Sequence, residues 1–251
     1  MIYVSIVSHA HFALIREIGC LAKLKDSKVI KIIIRDNVGE IGFESWCNSF
    51  GFHYSCNPSQ YGFGKNNNLN FAQAKLSGCQ DGDYFLVLNP DVDCSEEDIL
   101  NVADRMAKNK IGLATLNLFL DKNHIEIDNC ARRFPGLWDF VSSYFFGVNH
   151  SIIDKSHLDA VSSVDWAAGS FLMFSALTYA ELQGFDEGYF MYCEDIDICL
   201  RYHRKFNSRV VLFSDIFAVH YAQKRNRNLF SMHFLWHLKS CCRYLIKFYA
   251  P

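Results

Sequence analysis

Val29-Ile-Lys-Ile-Ile-Ile34, followed at once by Arg35-Asp36-Asn37, decides how this chain folds. A nearly continuous β-branched run, rather than an alternation, suits a parallel strand covered on both faces. The abrupt polar cluster then marks its carboxyl end. The pattern repeats on either side. Ile2-Tyr-Val-Ser-Ile-Val7 is apolar and β-branched and stops at Ser8-His9, after which Leu14, Ile18 and Leu21 fall at helical spacing. A third strand is expected near Phe52-His-Tyr-Ser-Cys56. Tyr61-Gly-Phe-Gly64-Lys-Asn66-Asn67-Asn68 leads into Phe71, Ala72, Ala74 and Leu76, again at helical spacing. Asp83-Tyr-Phe-Leu-Val-Leu88 is a fourth strand and ends in Asn89-Pro90-Asp91-Val92-Asp93, where Ser95 with Asp98 forms a capping box for the next helix. Strands that end in polar clusters and are linked by helices describe an open α/β sheet, which binds ligands in the crevice beyond the strand carboxyl ends. Each cluster alone could be a turn or a strand stop. Three on one edge, beside a Gly/Asn-rich helix entry, favour a nucleotide site. The glycine loop lacks the Gly-Lys-Ser/Thr ending of a phosphate P-loop.

The chain of 251 residues is half hydrophobic and 15% aromatic, with a formal net charge of −2. That balance excludes a disordered chain and a nucleic-acid binder working by bulk positive charge. Its ten cysteines include no Cys-x-x-Cys pair. No secretory signal precedes Ile2 and no apolar run reaches the roughly 18 residues of a membrane span, so a cytosolic chain with reduced thiols is expected.

The second half is less regular. Ile111–Leu118 reads as a strand. Residues 121–164 form a long connection that holds Arg132-Arg133-Phe134-Pro135 and the aromatic stretch Trp138–Phe146. Val164-Asp-Trp166-Ala-Ala-Gly169-Ser170-Phe-Leu-Met-Phe174 reads as a strand interrupted by small residues, and Gly169 suggests a close approach or a bulge. Arg209–Phe213 is a further strand leading to Val219-His220-Tyr221. No linker separates the halves, so one sheet is expected to run through both.

Between these strands lies Gly188-Tyr-Phe-Met-Tyr-Cys-Glu194-Asp195-Ile-Asp197-Ile-Cys-Leu200-Arg201. The residues after Glu194-Asp195 fit a short helix that buries one face, which places both carboxylates in its first turn. There they could simply favour the macrodipole, by about 0.3–1 kcal/mol, or they could act in chemistry.

The tail is amphipathic. From Asn228 onward, Phe230, Phe234, Leu238, Cys241, Leu245 and Phe248 keep helical spacing, and Lys239, Arg243 and Lys247 form a basic stripe. Trp236, Tyr244 and Tyr249 add rings suited to a headgroup region. Two readings stay open: an interfacial helix on an anionic membrane, or a helix packed on the body with its basic side in water.

Ser8-His9, Arg35-Asp36-Asn37, Gly62-Phe-Gly-Lys-Asn-Asn-Asn68, Leu88-Asn-Pro-Asp91, Trp166-Ala-Ala-Gly169-Ser170 and Gly184–Asp195 come in the order found in family 2 glycosyltransferases of the GT-A fold. The resemblance covers nearly the whole chain. Within that family the sequence is most similar to bacterial rhamnosyltransferases acting on lipid-linked N-acetylglucosamine in O-antigen assembly. It implies a single domain over residues 1–225, with a Rossmann-like donor half (1–110) merged with an acceptor half (111–225). A membrane-associating helix over 226–251 would follow, on the inner face of the cell membrane. It also implies roles at matched positions. Asp36 would hydrogen-bond the nucleobase, lined by Ser8, His9 and Asn37. Gly64 and Asn68 would lie by the donor, with Asn89, Trp166 and Gly169 completing its surroundings. Asp91 and His220 would hold Mg²⁺ or Mn²⁺. Asp195 would be the catalytic base and Glu194 its supporting neighbour. Asn89 stands where the family's metal motif has its first Asp, which leaves one carboxylate there; Mg²⁺ often relies on one or two carboxylates plus substrate phosphates.

The expected chemistry is an inverting displacement, with one base on the acceptor side and a cation beside the leaving diphosphate. The expected substrates are a dTDP-sugar, L-rhamnose first, and a polyprenyl-diphosphate-linked sugar; a galactofuranose or glucose donor is the near alternative. A sugar nucleotidyltransferase would need a basic, glycine-rich triphosphate loop, which Ser8-His-Ala-His11 is not. A binding protein without catalysis is disfavoured by Glu194-Asp195.

Overall fold

The amino-terminal part folds as β1 (Ile2–Ser8), α1 (Phe12–Ile18), α2 (Cys20–Lys23), β2 (Ile30–Asp36), α3 (Phe43–Ser49), β3 (His53–Cys56), α4 (Phe63–Leu76), β4 (Tyr84–Leu88), β5 (Val92–Asp93) and α5 (Glu96–Asn109). The computed structural model describes residues 1–155, 158–222 and 232–250. Ile32, Ile33 and Ile34 of β2 are buried, as a strand covered on both faces demands. The helix expected over Leu14–Leu21 breaks in two at Gly19, whose φ of +70° suits glycine and whose N–H caps the Ile15 carbonyl. The Ser95–Asp98 capping box forms at the head of α5.

The chain continues through β6 (Leu113–Phe119), β7 (Ala131–Arg132), α6 (Leu137–Phe145), β8 (Val161–Val164), β9 (Trp166–Ala167), β10 (Phe171–Ser175), α7 (Ala176–Glu181), α8 (Glu194–Phe206), β11 (Val210–His220) and α9 (Met232–Tyr249). One sheet runs through both halves in the order β3-β2-β1-β4-β10-β6-β11-β5, with β8 also paired to β11. Strands β3, β2, β1, β4, β6 and β11 point one way, while β10, β5 and β8 run against them. The sheet is therefore mostly parallel, flanked by helices, and β10 splices the two halves together.

Two strand assignments change. The expected Val164–Phe174 strand divides at 168–170: β9 leaves the main sheet to pair with β7, and β10 alone joins β4 and β6. The reason is local bonding: the Gly169 N–H turns to Asp195, while the Ser170 carbonyl stays on the β4 edge by accepting the Asn89 N–H. The strand expected over Arg209–Phe213 instead runs to His220, with a register shift between Phe213 and Phe217.

Helix α9 packs on the body through buried Ser240, Cys241 and Tyr244. Its basic stripe is partly tied to the body by ion pairs. Arg243 and Lys247 bond Asp186, and Lys247 also reaches the fully buried Asp197. Lys239 and Arg243 are nonetheless exposed, and Lys247 is half-buried. Helix α9 also turns apolar side chains outward: Leu235, Leu238, Ile246 and Tyr249 are exposed. Helix α6 lies alongside, with Tyr144 stacked on Phe234 and Phe140 edge-on to Tyr244. Asn228, Phe230 and the boundary expected at 225/226 fall outside the described residues.

Candidate active site

The carboxyl ends of the parallel strands meet on one edge. Ser8 closes β1 opposite Asp36 at the end of β2, because the two strands pair in register from Ile2↔Ile30 to Ser8↔Asp36. The Ser8 hydroxyl donates to Glu40 at 3.0 Å and accepts from the His11 N–H at 3.1 Å. Asn37 lies beside His9, with Nδ2 3.4 Å from the ring Nδ1, and its amide bonds both backbone groups of Tyr61.

Asp36 Oδ1 accepts the N–H groups of Val38 and Gly39 at 3.0 and 2.9 Å. Its Oδ2 accepts the Glu40 N–H at 2.6 Å and the Tyr54 hydroxyl at 2.9 Å. A carboxylate offers about four acceptor positions, and all are taken. Through these bonds Asp36 shapes the 37–40 loop.

Gly64 and Asn68 also serve the scaffold. A Cβ on Gly64 would lie 2.7 Å from the Phe185 Cβ, so the glycine lets α4 approach the 184–190 segment. Asn68 donates to the Phe185 carbonyl at 2.9 Å and accepts from the Phe185 N–H and the Tyr179 hydroxyl, at 2.9 and 2.8 Å. Both residues fix the 184–190 segment that leads to Glu194.

Asp91 and His220 do come together. Asp91 follows β4, His220 ends β11, and the Asp91 carbonyl accepts the Tyr221 N–H at 2.9 Å. His220 Nε2 lies 3.3 Å from Asp91 Oδ1, close enough for an ion pair. That buried oxygen nevertheless takes no well-aligned hydrogen bond. His220 Nδ1 lies 2.7 Å from Asp128 Oδ2. Burial would lower the His220 pKa, but Asp128 and Asp91 outweigh it and hold the imidazole up at about 9. Burial likewise raises Asp91, and His220 more than reverses this, leaving it below the usual carboxylate range. An orphaned carboxylate oxygen beside an imidazole fits a hard divalent cation such as Mg²⁺ or Mn²⁺. Among the described residues no group of three His, Cys, Asp or Glu is placed to hold a metal ion by itself. Asp128 is engaged with the opposite ring nitrogen, so the remaining ligands would be diphosphate and water.

On the other flank, α8 opens with Glu194 and Asp195. Asp195 Oδ2 accepts the Gly169 N–H at 3.2 Å. Gly169 itself is pressed against the Phe63 ring, where a Cβ would lie 2.9 Å from Cε1. Trp166 donates its indole N–H to the Arg133 carbonyl at 2.8 Å and lies under the Arg132 guanidinium. The Ser170 carbonyl accepts the Asn89 N–H at 3.0 Å, which joins this flank to the strand end that carries Asp91. Glu194 is buried with Oε2 unpartnered. Burial, and then the neighbouring Asp195, push its carboxyl up to about 8. Burial raises Asp195 as well, against the N–H groups of Ile196 and Gly169 that favour its charged form. Two adjacent carboxyls cannot both ionise cheaply. Burial and the neighbouring Asp195 thus favour the protonated form of Glu194.

No family model matches the chain. Over 249 residues it is 38% identical to "Rhamnosyltransferase WbbL" of Escherichia coli (strain K12), covering 98% of this chain and 93% of that protein. The chain belongs to that family of glycosyltransferases. It is also 24% identical over 181 residues to "Low-salt glycan biosynthesis hexosyltransferase Agl10" of Haloferax volcanii, covering 71% of this chain and 55% of that protein. Among solved structures, GalNAc-T7 with UDP, GalNAc and Mn²⁺ superposes with a TM-score of 0.64 at 10% identity, over 88% of this chain and 43% of that one. The mannosyltransferase PcManGT from Pyrobaculum calidifontis, in complex with GDP-Man and Mn²⁺, gives 0.63 at 13% identity, over 100% of this chain and 65% of that one. These likenesses show the GT-A fold. As a glycosyltransferase, the chain is an enzyme and not a nucleotidyltransferase or a passive binder.

No motif announced Asp128 or Glu40. Asp128 sits alone in the long connection, 92 positions from the histidine it bonds. Glu40 accepts the Phe12 N–H at 3.1 Å and so caps α1, a role that no local motif announces.

Proposed function

We propose that this glycosyltransferase moves L-rhamnose from a dTDP donor to a polyprenyl-diphosphate-linked N-acetylglucosamine in cell-surface polysaccharide synthesis, by a single inverting displacement. The donor assignment leans on the relative named as a rhamnosyltransferase. One observation carries the mechanism: a chain of contacts runs from Asp195 through Gly169 and Ser170 to Asn89, next to Asp91 and His220. Base and leaving-group site are thereby held at opposite ends of one rigid strip.

In this reading Asp195 takes the proton of the attacking hydroxyl, and protonated Glu194 keeps the charge on Asp195. A single carboxylate base on the acceptor side implies inversion, since no second one acts as nucleophile. Asp91 and His220 would hold the divalent cation, which when bound neutralises the charge of the departing diphosphate. His9, Asn37 and the loop organised by Asp36 would border the nucleotide. Residues 1–110 would serve mainly the donor and 111–225 the acceptor.

Association with the inner membrane face is also proposed, through an apolar surface. Trp138, Phe145 and Phe146 on and after α6 are 78%, 72% and 75% exposed, beside Ile246 of α9 at 74%. An open apolar surface of this kind is suited to lie in a lipid interface. Among the described residues no helix is long and apolar enough to cross a membrane.

The test is a screen of the purified protein against dTDP-L-rhamnose, UDP-galactofuranose and UDP-glucose with synthetic lipid-linked N-acetylglucosamine, read by mass spectrometry. Rhamnosylated product only from the dTDP donor is expected. Transfer from another donor alone would overturn the assignment.

A further inference from the structure

We propose that Asp128 is a positioning residue that orients the His220 imidazole toward a divalent cation at Asp91. The inference rests on the metal site of the proposed function and adds a residue that makes no contact with the cation.

The geometry assigns each ring nitrogen its own partner. Nδ1 meets Asp128 Oδ2 at 2.7 Å, while Nε2 is turned toward Asp91 Oδ1 at 3.3 Å. A carboxylate on Nδ1 keeps a proton there and fixes the plane of the ring, so that Nε2 is the nitrogen left to exchange its own proton for a metal ion. Without it the imidazole could rotate about χ2 and present either nitrogen.

Asp128 is itself held firmly, although it lies outside regular structure. Its N–H donates to the Leu118 carbonyl at 2.9 Å. Its carbonyl accepts the ammonium of Lys155 at 2.6 Å. Lys155 is buried and also donates to Asn117 Oδ1 at 3.0 Å. Asn117 and Leu118 belong to β6, which pairs with β11. The carboxylate that orients His220 is thus tied at both backbone groups, one directly to β6 and the other through Lys155.

The test measures Mn²⁺ binding by electron paramagnetic resonance in the presence of excess dTDP, for the wild type, D128A, D128N, H220A and D128A/H220A. Circular dichroism accompanies each variant. D128A is expected to raise the Mn²⁺ Kd by about 10–100-fold, the usual cost of removing the partner behind a ligating histidine. D128N keeps an oxygen that can accept the Nδ1 proton, so its loss should be smaller, about tenfold. Because Asp128 acts through His220, the double variant should bind no more weakly than H220A alone. Should D128A not fold, D128N carries the decision. Wild-type affinity in D128A, or in D128N if that alone folds, overturns the inference, as does an equal loss with and without His220. Wild-type protein that binds no Mn²⁺ overturns the metal site, and this inference with it.

Discussion

Gly169 donates its backbone N–H to Asp195 Oδ2 at 3.2 Å, so the 168–170 turn and the first turn of α8 are one unit. This bond leaves Oδ1 to the N–H of Ile196; an asparagine keeps the shape and can accept one of these two N–H groups. Asp195→Asn should still fold, which circular dichroism checks. Loss of the proton acceptor should lower kcat by about 10²–10⁴-fold, with donor affinity nearly unchanged. Steady-state kinetics with calorimetric donor titration separates the two. Near wild-type turnover would make Asp195 a helix cap and move the search for the base to Glu194.

Glu194 predicts a pH dependence of stability. Its carboxyl is pushed up to about 8 from an ordinary 4.5, first by burial and then by Asp195. Between those values the folded protein binds a proton that the unfolded chain has released. The contribution of this group is thus fully present below pH 4.5 and is lost as pH rises toward 8. Glu194→Gln removes that loss, so its stability relative to wild type should improve from pH 5.5 to pH 8.5 in urea melts. A difference independent of pH would contradict the assignment.

Lys247 predicts a structural cost. Asp197 is fully buried and takes Arg201 at 2.8 Å, Tyr189 at 3.2 Å and the Lys247 ammonium. Lys247→Met leaves part of that charge uncompensated and should destabilise by about 3 kcal/mol, the low end for breaking a buried pair. Lys239→Gln, on the open side of α9, should stay within about 0.5 kcal/mol. Chemical denaturation of both variants provides the comparison.

These elements show what the sequence could and could not carry. The β-branched runs made β1, β2 and β4 legible, because burial on both faces leaves a mark on every residue. The order of polar strand ends then announced the family. Asp36 and Asn68 were found, but not their scaffold bonds, since a motif shows that a polar side chain is needed and not where its bonds go. The tail shows the same limit. Spacing places Lys239, Arg243 and Lys247 on one face, yet only the fold reveals that Asp186 and Asp197 wait there.

The proposed membrane attachment rests on the apolar surface of α6 and α9. Replacing Trp138, Phe145, Phe146 and Ile246 with Ser should release the protein from pelleted liposomes, as each buried apolar side chain is worth about 1.5–3 kcal/mol. Because these residues are already exposed, the variant should melt like wild type. Equal pelleting of the two proteins would remove the α6–α9 surface from consideration.

The anomeric configuration of the product tests the central claim most directly. A single displacement assisted by Asp195, with no carboxylate acting as nucleophile, must invert the transferred sugar carbon. Proton NMR of the isolated lipid-linked disaccharide, compared with the nucleotide donor, should show the opposite configuration at that carbon. A product that retains the donor configuration would contradict the account.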